Sequence, residues 1–345
     1  MRQYFIFFCI LFFMSGCSSN SINERFEVVY TINSRSSFQL EGETRQQVTI
    51  AVVPKLINIS YFNAVRDGAL EAGRDLGVDI IYKGPLLADV NQQMEIVKEF
   101  IDLKVDVIAV SANDPIGLAP ILLKAKEEGI HVITWDSDTV TEARDFFVNM
   151  VEPETLGRHL MNTLAWNTEE DGEFAILTGS LSASNLNEWL HWIKVQNQEF
   201  YPNMKLVEVV ATDDDPTKAY ILSKDLLTLY PNLKGIIGNT SVGPPSAAQA
   251  VKELDKVGEI SVVGLSPPNQ MNEHLKDGSA QIVTLWSPKK LGYLTVALAK
   301  NIQMGVSPFD GQEIPKVGKI RVIDDMIIME QPIDFTKENV DQYDF

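Results

Sequence analysis

The chain has 345 residues, 45% of them hydrophobic, and a formal net charge of −18. Acidity of this size excludes nucleic acid and anionic lipid surfaces as partners, since both would repel it, and is read as a solubility feature. The length and apolar fraction are enough for two domains, each with its own core.

At the N-terminus, Arg2 precedes a short apolar run over residues 4–14, followed by Ser15, Gly16 and Cys17. This succession of charge, apolar run and small residues is that of an export signal. The run falls short of the roughly 20 residues a helix needs to cross a bilayer. The two cysteines are Cys9, within the run, and Cys17, so the exported chain has no cysteine pair to oxidise. A lone cysteine after Ser-Gly resembles the bacterial lipoprotein pattern, which makes Cys17 the expected lipid attachment residue; secretion with a free thiol is the alternative. Residues 1–16 are therefore expected to be a signal peptide and 17–47, polar and without period, a tether. The expected location is the outer face of a cell membrane, toward the periplasm or exterior.

From residue 48 onward, short β-branched runs alternate with amphipathic stretches: VTIAVV, VDIIY, VDVIAVSA and HVITWD, each followed by a helical pattern. Continuously apolar strands are expected where helices cover both faces of a parallel sheet. Gly77 and Gly129 follow two of the amphipathic stretches, where a left-handed residue ends a helix. After FFVNM (146–150) a second series begins with EFAILTG, KLVEVVAT, LKGIIGN, ISVVGLS and AQIVTLW. The expected fold is α/β, with two doubly wound parallel-sheet lobes. The first lobe is expected over 48–150 and 287–306, and the second over 151–286 and 307–345.

In open parallel sheets ligands bind beyond the carboxyl ends of the strands, so polar residues there are the candidates. Asp136 can accept from two vicinal hydroxyls at once. Asp138, two residues on, points to the same side of an extended segment, or else caps a loop. Lys55 can donate to ring or carbonyl oxygens. Asn113, Asn185, Asn239 and Ser241 stand at further strand ends and helix starts. Tyr61, Phe62, Trp135 and Trp286 offer flat faces for the C–H face of a sugar, although Phe62 and Trp135 fit a core equally well. Trp286 is the strongest of the four, standing at a strand end just before Pro288.

No cofactor or metal site is expected. The four histidines are scattered, and Asp213-Asp214-Asp215 before Pro216 reads more simply as a helix cap. Thr178-Gly179-Ser180 has neither the P-loop ending nor the nucleophile-elbow frame, so no enzyme is expected.

The motifs VPKL (53–56), GALEAGRDLGVD (68–79), TWDSDT (134–139), AILTGSLSASNLNEW (175–189), PSAAQA (245–250), VVGLSPPN (262–269) and KENVDQYDF (337–345) resemble the type I periplasmic binding proteins. The likeness is to their autoinducer 2-binding and rhamnose-binding branch. It covers nearly all of the chain from residue 48. It implies two lobes joined by a three-stranded hinge, a small sugar-like ligand, and delivery by a monomer to the permease and ATPase of an ABC importer. The rival role is a sensor presenting its shut form to a chemoreceptor or histidine kinase. The resemblance assigns ligand contacts to Lys55 and Asp136. In the second lobe, Asn185-Leu186 stands where an Asp-Gln pair is expected, and Asn239-Thr240-Ser241 where a Pro-x-Ala segment is expected. Both departures alter the ligand chemistry rather than the clamp.

Overall fold

The computed structural model describes residues 30–32 and 47–345. The expected signal peptide, Cys17 and most of the expected tether lie outside the described residues.

Five parallel strands form the centre of the first sheet: β2 (Thr49–Val53), β3 (Asp79–Tyr82), β4 (Val107–Val110), β5 (His131–Trp135) and β6 (Phe147–Asn149). Residues Ile50 and Val52 of β2 pack into one core cluster with α1 (Ser60–Leu76), while Ala51 and Val53 pack into another with α2 (Val90–Asp102) and α3 (Pro115–Glu127). Both faces are covered, which is why alternation is missing from the sequence. Local signals set the helix ends. Asp89 and Asp114 accept from the first free amides of α2 and α3, and Gly77 ends α1 at φ 66°.

The chain then crosses to a second sheet built the same way. Its strands are β7 (Gly172–Thr178), β8 (Met204–Ala211), β9 (Leu233–Gly238), β10 (Ser261–Leu265) and β11 (Ile282–Leu285). Its helices are α4 (Pro153–Asn167), α5 (Ser184–Phe200), α6 (Pro216–Leu229), α7 (Gly243–Glu253) and α8 (Pro268–Asp277). Numbered within each lobe, both sheets run 2-1-3-4-5: β3-β2-β4-β5-β6 in the first and β8-β7-β9-β10-β11 in the second. In this order the crevice opens between the first and third strands of a lobe, where successive connections leave in opposite directions.

A second crossing leads into α9 (Pro288–Gln303), which returns to the first lobe and lies on α1. Their backbones touch: a Cβ on Gly68 would sit 1.9 Å from the Lys289 carbonyl oxygen, and one on Gly292 would sit 2.0 Å from that of Val65. A small ribbon of β12 (Glu313–Ile314) and β13 (Gly318–Lys319) follows.

The tail is shared between the lobes, where the sequence reading placed all of 307–345 in the second. Strands β14 (Arg321–Ile323) and β15 (Met326–Ile328) extend the first sheet beside β6, and only β16 (Ile333–Phe335) joins the second, beside β11. A free sheet edge in each lobe accepts a short strand whose neighbours are connectors, and periodicity is too weak over such lengths to assign it. Within the expected tether, β1 (Tyr30–Ile32) pairs antiparallel with β3 at the other edge of the first sheet.

Three crossings thus join the lobes, and Glu330 ties them together. Its amide donates to Met150 O (3.0 Å), while its carboxylate accepts from the Ser287 amide (2.8 Å) and from Lys290 Nζ (3.1 Å).

Candidate functional site

The two switch points face each other. Lys55, following β2, and Ser111, following β4, belong to the first. The second is flanked by the β7–α5 connection and by Thr240 and Ser241, following β9. Asp136 follows β5 in a left-handed conformation, φ 62°, where the chain doubles back so that the Ser137 amide donates to Trp135 O. A non-glycine residue held there stores about 1 kcal/mol or more of strain, which Asp tolerates better than most residues. The turn aims the carboxylate into the cleft.

A chain of polar contacts then runs across the molecule. Trp286 Nε1, on the second crossing, donates to Tyr61 OH (3.1 Å), and Tyr61 OH donates to Asp136 Oδ1 (3.0 Å). Asp136 Oδ2 accepts from Ser111 Oγ (2.7 Å) and lies 3.5 Å from Lys55 Nζ. Lys55 Nζ donates across the cleft to Asn185 Oδ1 at 2.9 Å. Lys55 and Asp136 are each only 3% exposed, so neither charge is tolerable without the other. Burial and the neighbouring Asp136 charge hold the Tyr61 phenol well above its usual pKa, so it stays a donor.

Around this chain the rings of Tyr61, Phe62, Trp189 and Trp286 meet edge-on or tilted, with centroids 5.0–6.1 Å apart. Leu186, Leu265 and Leu285 complete the apolar wall. The cavity between the lobes is about 40 Å³, room for on the order of three waters.

Of the residues expected from sequence, Lys55, Tyr61, Phe62, Asp136, Asn185, Ser241 and Trp286 line this cavity together. Asn113 and Asn239 do not line it. Asn113 supports it from behind, its Nδ2 donating to Lys55 O (2.8 Å), and Asn239 Nδ2 donates to Leu186 O (2.9 Å) at the start of α5. Asp138 turns away from the cavity: its carboxylate is gripped by the Arg144 guanidinium at 2.7 and 2.9 Å, and its amide donates to Ser184 Oγ of the second lobe (3.0 Å). Trp135 lies in the core, its Nε1 bonded to Ala109 O.

Sequence reasoning missed Trp189 and Asp214. Trp189 is one turn beyond Asn185 on α5 and shares its face, a spacing that could have identified it. Asp214 was merged with the cap of α6. That cap is Asp215 alone, whose carboxylate accepts from the Thr217 and Lys218 amides. Asp214 is 6% exposed and turned into the cavity, where it accepts from the Thr240 hydroxyl. Among the described residues no His, Cys, Asp or Glu cluster is placed to hold a metal, and no helix is long and apolar enough to cross a membrane.

Solved structures share this architecture. An ABC transporter solute-binding protein from Clostridium phytofermentans with bound L-rhamnose superposes with a TM-score of 0.82 at 26% identity, covering 86% of this chain and 98% of that one. LsrB from Clostridium saccharobutylicum, in complex with AI-2, also gives 0.82, at 24% identity over 86% of this chain and all of that one. The D-ribose/D-allose-binding protein of Pseudomonas aeruginosa is 24% identical over 247 residues, which cover 69% of this chain and 77% of that protein. Residues 50–306 match the family model of the periplasmic binding protein domain. With that match spanning most of its length and both lobes wound as described, the chain belongs to the periplasmic binding protein family, type I.

Proposed function

We propose that the chain is the solute-capturing protein of an ABC importer, a monomer that takes a sugar-sized polyhydroxyl molecule between its lobes and presents it to the membrane subunits. In this reading it is held at the membrane through a lipid on Cys17. The observation that carries the proposal is the hydrogen bond from Lys55 to Asn185, which joins a charged pair of one lobe to an amide of the other within an aromatic-lined cavity. Support also comes from relatives whose ligands are rhamnose, ribose and allose, all uncharged and rich in hydroxyls.

Capture follows from differential affinity. Lys55 and Asp136 bind from one side, Asn185 and Ser241 from the other, and only the shut form offers both sets at once. A ligand favours closure by as much as its contacts in the shut form exceed those in the open one. Micromolar affinity needs about −8 kcal/mol net. The rings of Trp286 and Tyr61 suit the C–H face of a sugar, and Asp136 suits its hydroxyls. Titration with L-rhamnose, D-ribose, D-allose, D-arabinose and AI-2, followed by Trp fluorescence and calorimetry, tests the reading. Saturable binding of at least one, lost in Lys55→Met, is expected; absence of binding by all of them counts against a sugar-like ligand.

A further inference from the structure

The scheme above gives no part to Asp214, the second carboxyl group of the cavity. Resting on that reading of the cleft, we propose that Asp214 enters the shut site as a neutral acid that donates a hydrogen bond to an acceptor oxygen of the ligand. Capture of an uncharged ligand would then take up one proton from solvent.

The local chain is built to put this side chain there. Asp213 and Asp214 both adopt left-handed conformations, φ 54° and 56°, between the end of β8 and the cap of α6. Asp213 stays outside and pairs with Lys218, while Asp214 turns in. Space for it depends on Gly179, where a Cβ would lie 2.6 Å from Asp214 Oδ1.

The charges facing it do not balance two carboxylates. Lys55 reaches the site from the loop after β2, Asp136 from the loop after β5, Tyr61 from α1, and Asp213 is its own neighbour. Among the described residues lining the cavity, Lys55 is the only cation, and it is already committed to Asp136 and Asn185. With both carboxyl groups ionised, the buried groups of the cavity would carry a net negative charge; one proton makes them neutral. Asp136 has the ammonium and two hydroxyl donors, whereas Asp214 has the Thr240 hydroxyl. The proton therefore resides on Asp214. Burial pushes its carboxyl above the usual range, against partial opposition from Lys55 and Thr240. With the lobes apart, water reaches the group and it ionises, so closure is the step that takes the proton. The two acids then read opposite features of one ligand. Asp136 accepts from its hydroxyls, and Asp214 donates to a ring or carbonyl oxygen.

The test is calorimetric titration of the full protein with L-rhamnose, D-ribose and D-allose near neutral pH, in phosphate and in Tris, whose ionisation heats differ. For a sugar that binds, we expect a buffer-dependent heat corresponding to uptake of up to about one proton, and affinity weakening by up to about tenfold per pH unit as pH rises. In Asp214→Asn, which keeps a donor but has no proton to take up, both dependences should vanish from whatever binding remains, at higher sugar concentration if affinity falls. In Thr240→Val, which removes the donor that favours the ionised form, uptake should persist to higher pH; this variant decides the matter if Asp214→Asn does not fold. Sugar binding with buffer-independent heat overturns the inference alone, as does undiminished uptake in Asp214→Asn. Failure of the wild-type protein to bind any of these sugars removes the reading of the cleft and the inference with it.

Discussion

The two lobes share one strand order but hold charge at the cleft differently. In the first lobe Lys55 and Asp136 neutralise each other, and the carboxylate is further met by Tyr61 and Ser111. The second lobe brings an amide, hydroxyls and the carboxyl of Asp214, with no cation of its own lining the cavity among the described residues. Identical topology therefore fixes where side chains arrive and not what they carry. The first lobe is a preorganised polar platform; the second is the side whose electrostatics change when water leaves.

Breaking the platform should have the largest effect. Asp136→Ala strands the Lys55 ammonium at 3% exposure and deprives two hydroxyls of their acceptor. We expect a loss of about 3–5 kcal/mol in stability, with ligand affinity falling alongside, measured by denaturant unfolding and calorimetry. An unchanged midpoint would show that the pair is not buried in solution. Next, Gly292→Val tests how the first lobe is completed, because the new side chain would strike the Val65 carbonyl and push α9 off α1. Destabilisation of about 1–3 kcal/mol is expected, with little direct effect on the second lobe.

The second lobe is probed by pH. In the shut form the carboxyl of Asp214 lies above its usual value because of burial, so the shut, ligand-bound chain holds the proton more tightly than the unfolded one. Stability from this group is complete below the ordinary carboxylate pKa, about 4, and declines as pH rises from there toward the raised value. Measured on the sugar-saturated protein, Asp214→Asn should accordingly raise the melting temperature at neutral pH, with the gain fading on acidification. A melting-temperature difference that grew on acidification would reverse the assignment.

The smallest expected effect concerns contacts that join the lobes directly. Ser182 Oγ donates to Asn113 O (2.9 Å), and Ser184 Oγ accepts from the Asp138 amide (3.0 Å). Replacing either with Ala should cost about 0.5–1.5 kcal/mol of closure and weaken every ligand by a similar factor, chiefly through faster release in stopped-flow experiments. A change confined to one sugar would instead make the serine a ligand contact.

The sequence made some of these residues visible and hid others for definite reasons. Lys55, Asp136 and Asn185 were legible because each ends a strand or opens a helix in a series whose period was already clear. For Asp138 alternation and a loop cap were both open, and the second is what the structure shows: the left-handed turn at Asp136 reverses the backbone, and the next carboxylate accepts from the Thr139 amide and from Arg144. Asp214 was hidden by its neighbours, since three aspartates before a proline satisfy a capping pattern that needs only one. Strands β14 to β16 were too short to show a period, and their allegiance depends on which sheet edge is open, a property of the assembled lobes.

The return of α9 and β15 to the first sheet also orders events in time. Among the described residues, nothing earlier in the chain supplies the helix face that α1 lies on or the strand beside β6, so the first lobe is completed only once α9 and β15 have been made. Its last native neighbours arrive only with Met329 and Glu330, whose amides donate to Asn149 O and Met150 O, long after β6 has been made. Such long-range closure slows folding and keeps a nascent polypeptide loose for longer, the condition in which a chain can still be threaded through a narrow translocation pore.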